Sequence, residues 1–396
     1  MRDGWNFINK TLPVNAFLCK ISLFSITLLM LALSHEMQAT QKSINDSTRV
    51  QITARYHYGI VVPHHTSMSY LINDYSRGTE LNITRRRFKQ QLWETYLNQP
   101  ETGIGLMMSS FGNSQIYGNG IAIYPFINFR MFDVGRFSAK YRVALGMGYA
   151  TKPFDVETNT YNTVFGSHFN AYVGLGLLLN CRITHNLLLN TSFSLNHLSN
   201  GSSYKPNNGI NTATLSFGTT WIPNPNPLPS ISQQSAPRDN SHEVIVTGSI
   251  GRNQAAAYNP TRNWSGSITV NHIWFRKKTM AYSGGLDLIH FGGAPYANLK
   301  FQTLDENATY TLADNLYVGA LAGAQALLGT TTMYVNVGVY LYKGIPPRQP
   351  IYARLGIRQQ VTPRLLAHFG IKANFFAAEF IEFGIGYRLP YKTNNL

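Results

Sequence analysis

The chain has 396 residues and a formal net charge of +15; 13% of its residues are charged and 13% are aromatic. Soluble globular proteins carry about twice that share of charged residues. After the N-terminal segment, no apolar run reaches the roughly 18 residues that a membrane-spanning helix requires. The composition therefore argues against an ordinary soluble domain and against a helical membrane protein. It favours a protein that crosses a bilayer with strands.

The N-terminal segment has the pattern of a secretory signal peptide. Arg2, Lys10 and Lys20 precede an apolar run over residues 21–33, and the sequence Met-Gln-Ala at 37–39 offers a cleavage site. A basic stretch followed by a short apolar run and small residues is typical of such signals. We expect residues 1–39 to be removed and the mature protein to leave the cytoplasm.

The rest of the chain alternates apolar and polar residues, as the strands of a membrane barrel do. The alternation is sharpest over residues 137–148, where Tyr141 and Val143 share one face while Lys140 and Arg142 share the other. We expect the apolar face to contact lipid and the polar face to line the lumen. Strands are predicted at residues 50–61, 80–85, 102–111, 121–132, 136–150, 168–182, 186–199, 210–221, 333–342, 351–358, 365–375 and 380–389.

A segment rich in Pro, Ser and Asn, residues 222–240, predicts a linker between two halves at 49–221 and 241–396. In all, about sixteen strands are expected, forming an all-β, antiparallel transmembrane barrel. They can close as one large barrel or as two tandem eight-stranded barrels. We prefer the single barrel, because closing one sheet removes its edges without placing two barrels side by side.

The second half also has the pattern of a degenerate repeat. Residues 361–366 resemble residues 183–188, but Phe375 takes the place of His197 and no His-x-Ser follows it. An ancestral duplication would explain the likeness. The second half is therefore expected to lack the chemistry of the first.

The hairpin over residues 186–221 carries a possible nucleophile. His197 and Ser199 continue the apolar face of the seventh predicted strand, and Asn211 opens the apolar side of the eighth. Neighbours on one face of a strand lie about 7 Å apart, so that an imidazole and a hydroxyl at i and i+2 can meet. A serine nucleophile needs such a pairing with a base. The same spacing also occurs at an ordinary polar strand end beside a loop.

Residues 196–221, with His-x-Ser-Asn, a Pro-Asn-x-Gly loop and a short alternating strand, resemble the PagL-type lipid A 3-O-deacylase family. The resemblance implies a β-barrel of the bacterial outer membrane with its catalytic residues on the lipid-facing wall. It implies Ser199 as nucleophile, His197 as general base and Asn200 as an oxyanion donor. Where the family has an acidic residue, this chain has Asn211, which can orient the imidazole but cannot offset its charge.

The function implied by the resemblance is hydrolysis of the 3-linked ester acyl chain of lipopolysaccharide, without a cofactor or metal. The positive charge would attract this anionic lipid; no nucleic acid is expected as a partner, and the oligomeric state stays open. The pair His64 and His65 lies in a predicted loop with no Cys, Asp or Glu at ligand spacing. The alternative is a non-catalytic outer-membrane barrel that acts as a pore or binds lipopolysaccharide.

Overall fold

The computed structural model describes residues 48–87, 91–225, 235–257, 259–294, 311–345, 349–375 and 377–391. The predicted signal segment, residues 1–39, lies outside them. The first eight strands are β1 (Thr48–Val61), β2 (Ser76–Arg87), β3 (Glu101–Ser110), β4 (Asn119–Val134), β5 (Phe137–Ala150), β6 (Phe169–Arg182), β7 (Leu187–Ser199) and β8 (Ile210–Trp221). The next eight are β9 (His242–Ala256), β10 (Asn259–Lys277), β11 (Met280–Phe291), β12 (Leu316–Leu328), β13 (Thr331–Lys343), β14 (Ile351–Gln360), β15 (Leu365–Asn374) and β16 (Ala377–Tyr391).

Helical structure is sparse in the described ranges. A short helix, α1 (Thr66–Ser69), lies between β1 and β2, and α2 (Leu92–Tyr96) lies between β2 and β3. A 3-10 turn, Ala313–Asn315, precedes β12. None of the helices in these ranges has the length and apolarity to cross a membrane.

The strands close into two antiparallel barrels of eight. In the first barrel, β8 pairs with β1 from Ile52 opposite Trp221 to Val61 opposite Thr212. In the second, β9 pairs with both β10 and β16. The prediction of an antiparallel barrel fold is confirmed, but the chain has the tandem arrangement and not the single barrel that we preferred. Because β1 takes the free edge of β8, no edge of the first sheet is left for β9.

The outer walls are apolar and the lumens are polar. Along β7, Leu189, Phe193 and Leu195 are exposed on the outside, whereas Asn190 and Asn196 are buried inside. The two faces alternate because successive side chains of a strand point to opposite sides of the sheet. The side chain of Phe193 is therefore placed to contact lipid.

An ion-pair network fills the lumen of the first barrel. The Glu80 carboxylate lies 2.8 Å from Arg55 and 3.0 Å from Arg142, and it accepts a hydrogen bond of 2.5 Å from the Tyr124 hydroxyl. A cavity of about 10 Å³ remains among these side chains. Such a volume holds about one water molecule, so this level of the lumen is closed to larger solutes.

The connections of the first barrel differ between its two ends. At one end, residues 62–75, 111–118, 151–168 and 200–209 form the loops. The opposite end has tight turns at 135–136 and 183–186 and a single longer connection, between β2 and β3, which contains α2. Barrels of the outer membrane carry their longer loops on the extracellular side. The end of β7 and the start of β8 therefore lie at the extracellular end of the barrel.

Candidate active site

The register of β7 and β8 brings the predicted site residues together. His197 lies directly opposite Asn211 in the ladder, and Ser199 follows His197 on the same outward face. These three residues continue the stripe formed by exposed Phe193 and Leu195. The polar cluster thus sits at the extracellular end of an apolar, lipid-facing wall.

A chain of two hydrogen bonds joins the three side chains. The His197 Nε2 and the Ser199 Oγ are 2.9 Å apart, and the His197 Nδ1 and the Asn211 Oδ1 are 2.7 Å apart. An amide oxygen only accepts, so His197 Nδ1 carries the proton and donates it. Nε2 then has a free lone pair and accepts from the Ser199 hydroxyl. In this tautomer the imidazole can remove the hydroxyl proton of Ser199.

The loop after β7 packs closely over this chain. Ser199 is only 7% exposed, and His197 is partly buried. Gly209 adopts a φ of +72°, and a Cβ at this position would lie 2.8 Å from His197 Cε1 and 3.0 Å from Ser199 Cβ. Glycine meets both demands, since it adopts positive φ readily and has no side chain to clash. The loop can therefore cover the imidazole at van der Waals distance.

Asn200 lies beside Ser199 and holds the loop in place. Its side-chain Nδ2 donates to the Ser167 Oγ at 3.0 Å, and its backbone N–H donates to the Asn207 Oδ1 at 2.9 Å. The backbone N–H of Tyr204 donates to the Asn200 Oδ1 at 3.4 Å. An amide NH₂ has two hydrogens, and the bond to Ser167 uses one of them.

Sequence reasoning missed His64, which contacts the far side of Asn211. The Asn211 Nδ2 is 3.1 Å from the His64 Nδ1, and the His64 Nε2 is 2.7 Å from the backbone oxygen of Asn208. His64 comes from the β1–β2 loop, which reaches β8 only because β1 closes the barrel against it. From the sequence, His64 was considered only together with His65 as a metal pair that lacked further ligands, and no contact with Asn211 was predicted.

The second barrel contacts the same loop. The backbone N–H of Gln254 donates to the Ser202 carbonyl at 2.9 Å, and the backbone N–H of Lys205 donates to the Gln254 Oε1 at 3.0 Å. The guanidinium of Arg262 donates to the Tyr204 hydroxyl at 2.9 Å and lies 4.2 Å from the centre of its ring. The loop that covers the polar cluster is therefore held from both barrels.

Two family models match the chain, one over each barrel. The model described as lipid A 3-O-deacylase (PagL) matches residues 80–220. The model described as acyloxyacyl hydrolase, C-terminal domain, matches residues 242–392. Among curated protein sequences, none matches the chain.

Among solved structures, the chain is similar to the outer membrane enzyme PagL, with 13% identity, a TM-score of 0.31, and coverage of 42% of this chain and 97% of that one. It is also similar to Neisserial surface protein A, with 14% identity, a TM-score of 0.28, and coverage of 44% and 96%.

Proposed function

The chain belongs to the lipid A 3-O-deacylase (PagL) family, and we propose that it removes the 3-linked acyl chain of lipid A with Ser199 as the nucleophile. It is a β-barrel protein of the bacterial outer membrane, and its family hydrolyses esters of lipid A. The catalytic roles of individual residues are our proposal. The observation that carries it is the hydrogen-bonded chain from Ser199 through His197 to Asn211 on the lipid-facing wall.

In the first step, the Ser199 Oγ attacks the carbonyl carbon of the ester, and His197 Nε2 takes the hydroxyl proton. The carbonyl π electrons move to the oxygen, and the second N–H hydrogen of the Asn200 amide is a donor for this oxyanion. One such donor contributes about 3 kcal/mol to transition-state stabilisation in known oxyanion holes. When the tetrahedral intermediate collapses, the carbon–oxygen bond to the sugar breaks, and the sugar oxygen takes the proton from Nε2.

In the second step, water releases the fatty acid. His197 Nε2 takes a proton from water as the water oxygen attacks the acyl carbon. The bond to Ser199 Oγ then breaks, and Ser199 regains its proton from Nε2. Throughout both steps Asn211 accepts from His197 Nδ1–H and keeps the second nitrogen free for proton transfer.

The location of the site suits this substrate. Lipid A is anchored by acyl chains in the outer leaflet, and the proposed nucleophile lies at the extracellular end of the apolar wall. An acyl chain bound along the stripe of Leu195 and Phe193 would stay in an apolar environment while its ester reaches Ser199. The substrate would therefore not need to leave the bilayer.

A direct test is mass spectrometry of lipid A incubated with the purified full-length protein in detergent. We expect the wild type to release one acyl chain and Ser199→Ala to release none. Ser194→Ala, on the same strand but facing the lumen, is the matched control and should keep wild-type activity. Activity in Ser199→Ala equal to wild type would overturn the assignment of the nucleophile.

The same purified protein can be used to test the alternative function, a non-catalytic pore. The ion pairs of Glu80 with Arg55 and Arg142 close the first lumen at their level, so we expect no stable conductance through that barrel in a planar bilayer. Steady conductance together with unchanged lipid A would favour the non-catalytic barrel.

A further inference from the structure

We infer that His64 is a positioning residue that fixes which way the Asn211 amide points. This inference rests on the proposed function, because it concerns the protonation of the proposed base. An amide has nearly the same shape when its oxygen and nitrogen are exchanged, so packing alone does not select an orientation. A carboxylate at position 211 would accept at either oxygen and would not need such selection.

The orientation decides whether His197 can act as a base. With Oδ1 toward His197, Nδ1 carries the proton and Nε2 accepts from Ser199. With the amide turned over, its NH₂ group would face Nδ1, which would then have to accept. The proton would move to Nε2, where it would block transfer from Ser199. The wrong tautomer of a catalytic histidine is known to cost orders of magnitude in rate.

His64 selects the productive orientation through a backbone carbonyl. The carbonyl oxygen of Asn208 only accepts, so the contact of 2.7 Å requires a proton on His64 Nε2. In neutral His64, Nδ1 is then an acceptor, and it matches the NH₂ side of Asn211 at 3.1 Å. The Asn211 oxygen is thereby turned toward His197. The direction of each hydrogen bond from Asn208 to Ser199 is therefore set by the backbone carbonyl of Asn208, which can only accept.

The test compares His64 variants in two backgrounds. We expect His64→Ala to lower kcat about twofold with KM unchanged. The substrate surface is intact, but with neither amide orientation selected the imidazole spends about half of its time in the wrong tautomer. His64→Asn retains an acceptor near the position of Nδ1 and should recover part of the rate. In the Asn211→Asp background, His64→Ala should leave kcat unchanged, because either carboxylate oxygen can accept from His197. His185→Ala, at the opposite end of the barrel in an exposed turn, is the control.

An equal loss in both backgrounds would mean that His64 supports the loop and not the amide, and it would overturn the inference. Wild-type kcat in His64→Ala would overturn it as well.

The inference about His64 can also be tested without enzymatic activity. If the wild type does not deacylate lipid A, the proposed function fails, but ¹⁵N NMR of the His197 ring still shows which nitrogen carries the proton. A single tautomer protonated at Nδ1 in wild type and a mixture in His64→Ala would support it; identical spectra would refute it.

A second observation, independent of His64, concerns the second barrel. Ser202 adopts a φ of +65°, which a residue other than glycine rarely does without support. Its carbonyl accepts from Gln254 N–H at 2.9 Å, and its hydroxyl donates to the Ala378 carbonyl at 2.5 Å. Gly201 lies so close to Ile381 that a Cβ would approach its Cγ1 to 2.4 Å. The geometry points to the second barrel as a brace that holds the loop over Ser199.

The brace is tested with Ser202→Ala and Gln254→Ala. Each should lower kcat about three- to tenfold and speed deuterium uptake in a peptide covering residues 200–209. Ser202→Ala removes the hydrogen bond from its hydroxyl to the second barrel, and Gln254→Ala removes the side-chain oxygen that accepts from the Lys205 N–H at 3.0 Å. Ser203→Ala, the next residue in the loop, is the matched control and should leave both quantities unchanged. Wild-type uptake in both variants would overturn the brace whether or not the protein deacylates lipid A.

Discussion

Replacing Asn211 by Asp should raise kcat, because an aspartate has the same length and adds a negative charge beside the imidazolium. The accepting oxygen lies 2.7 Å from His197 Nδ1, so the centres of the two charges would be about 4 Å apart. Their attraction is about 4 kcal/mol at an effective dielectric constant of 20. Desolvation of the new carboxylate and the partial exposure of the site offset more than half of it. A net gain of about 1.4 to 2 kcal/mol corresponds to roughly ten- to thirtyfold in rate.

The matched variant is Asn211→Leu, which has the same branching at Cγ but cannot accept a hydrogen bond. We expect it to lower kcat at least tenfold, about 1.4 kcal/mol in the barrier, because His197 is no longer held in one tautomer. Single-turnover rates of acyl release from one lipid A preparation, measured by mass spectrometry for the three proteins, give both differences. Equal rates in all three would remove Asn211 from the site.

Three further predictions follow from the placement of the site and from the lumen. His197→Ala should abolish deacylation while the barrel keeps its heat-modifiable mobility on gels, because the side chain lies at a strand end; residual activity near wild type would exclude it as the base. Phe193→Arg should lower the free energy of unfolding of the barrel in urea by about 2 to 4 kcal/mol, whereas Phe193→Leu should lower it much less. Equal free energies of unfolding for the two variants would contradict a lipid-facing position of this side chain. Glu80→Gln should cost about 3 to 5 kcal/mol in the same measurement, because it leaves the buried charges of Arg55 and Arg142 unbalanced; an unchanged midpoint would show that the network adds nothing to stability.

Local sequence was sufficient to predict most strands and their facing. The alternation around Phe193 and Leu195 predicted β7 and placed His197 and Ser199 on its outward face, because a strand places every second side chain on the same side. The bounds of β8 were also correct. For β2, the predicted strand at 80–85 was too short: Ser76–Arg87 pairs with β1 over its whole length. Pairing with a neighbour extended β2 beyond what its own alternation indicated.

Only the tertiary structure decided how the strands close and what surrounds Asn211. A strand has two edges with the same kinds of donors and acceptors, so its sequence does not say which distant strand will fill each edge. The choice of β1 as the partner of β8 made two barrels out of sixteen strands. The same closure brought His64 to Asn211 across 147 positions of sequence. Short-range periodicity determined which residues share a face, whereas long-range strand pairing determined which faces and loops meet.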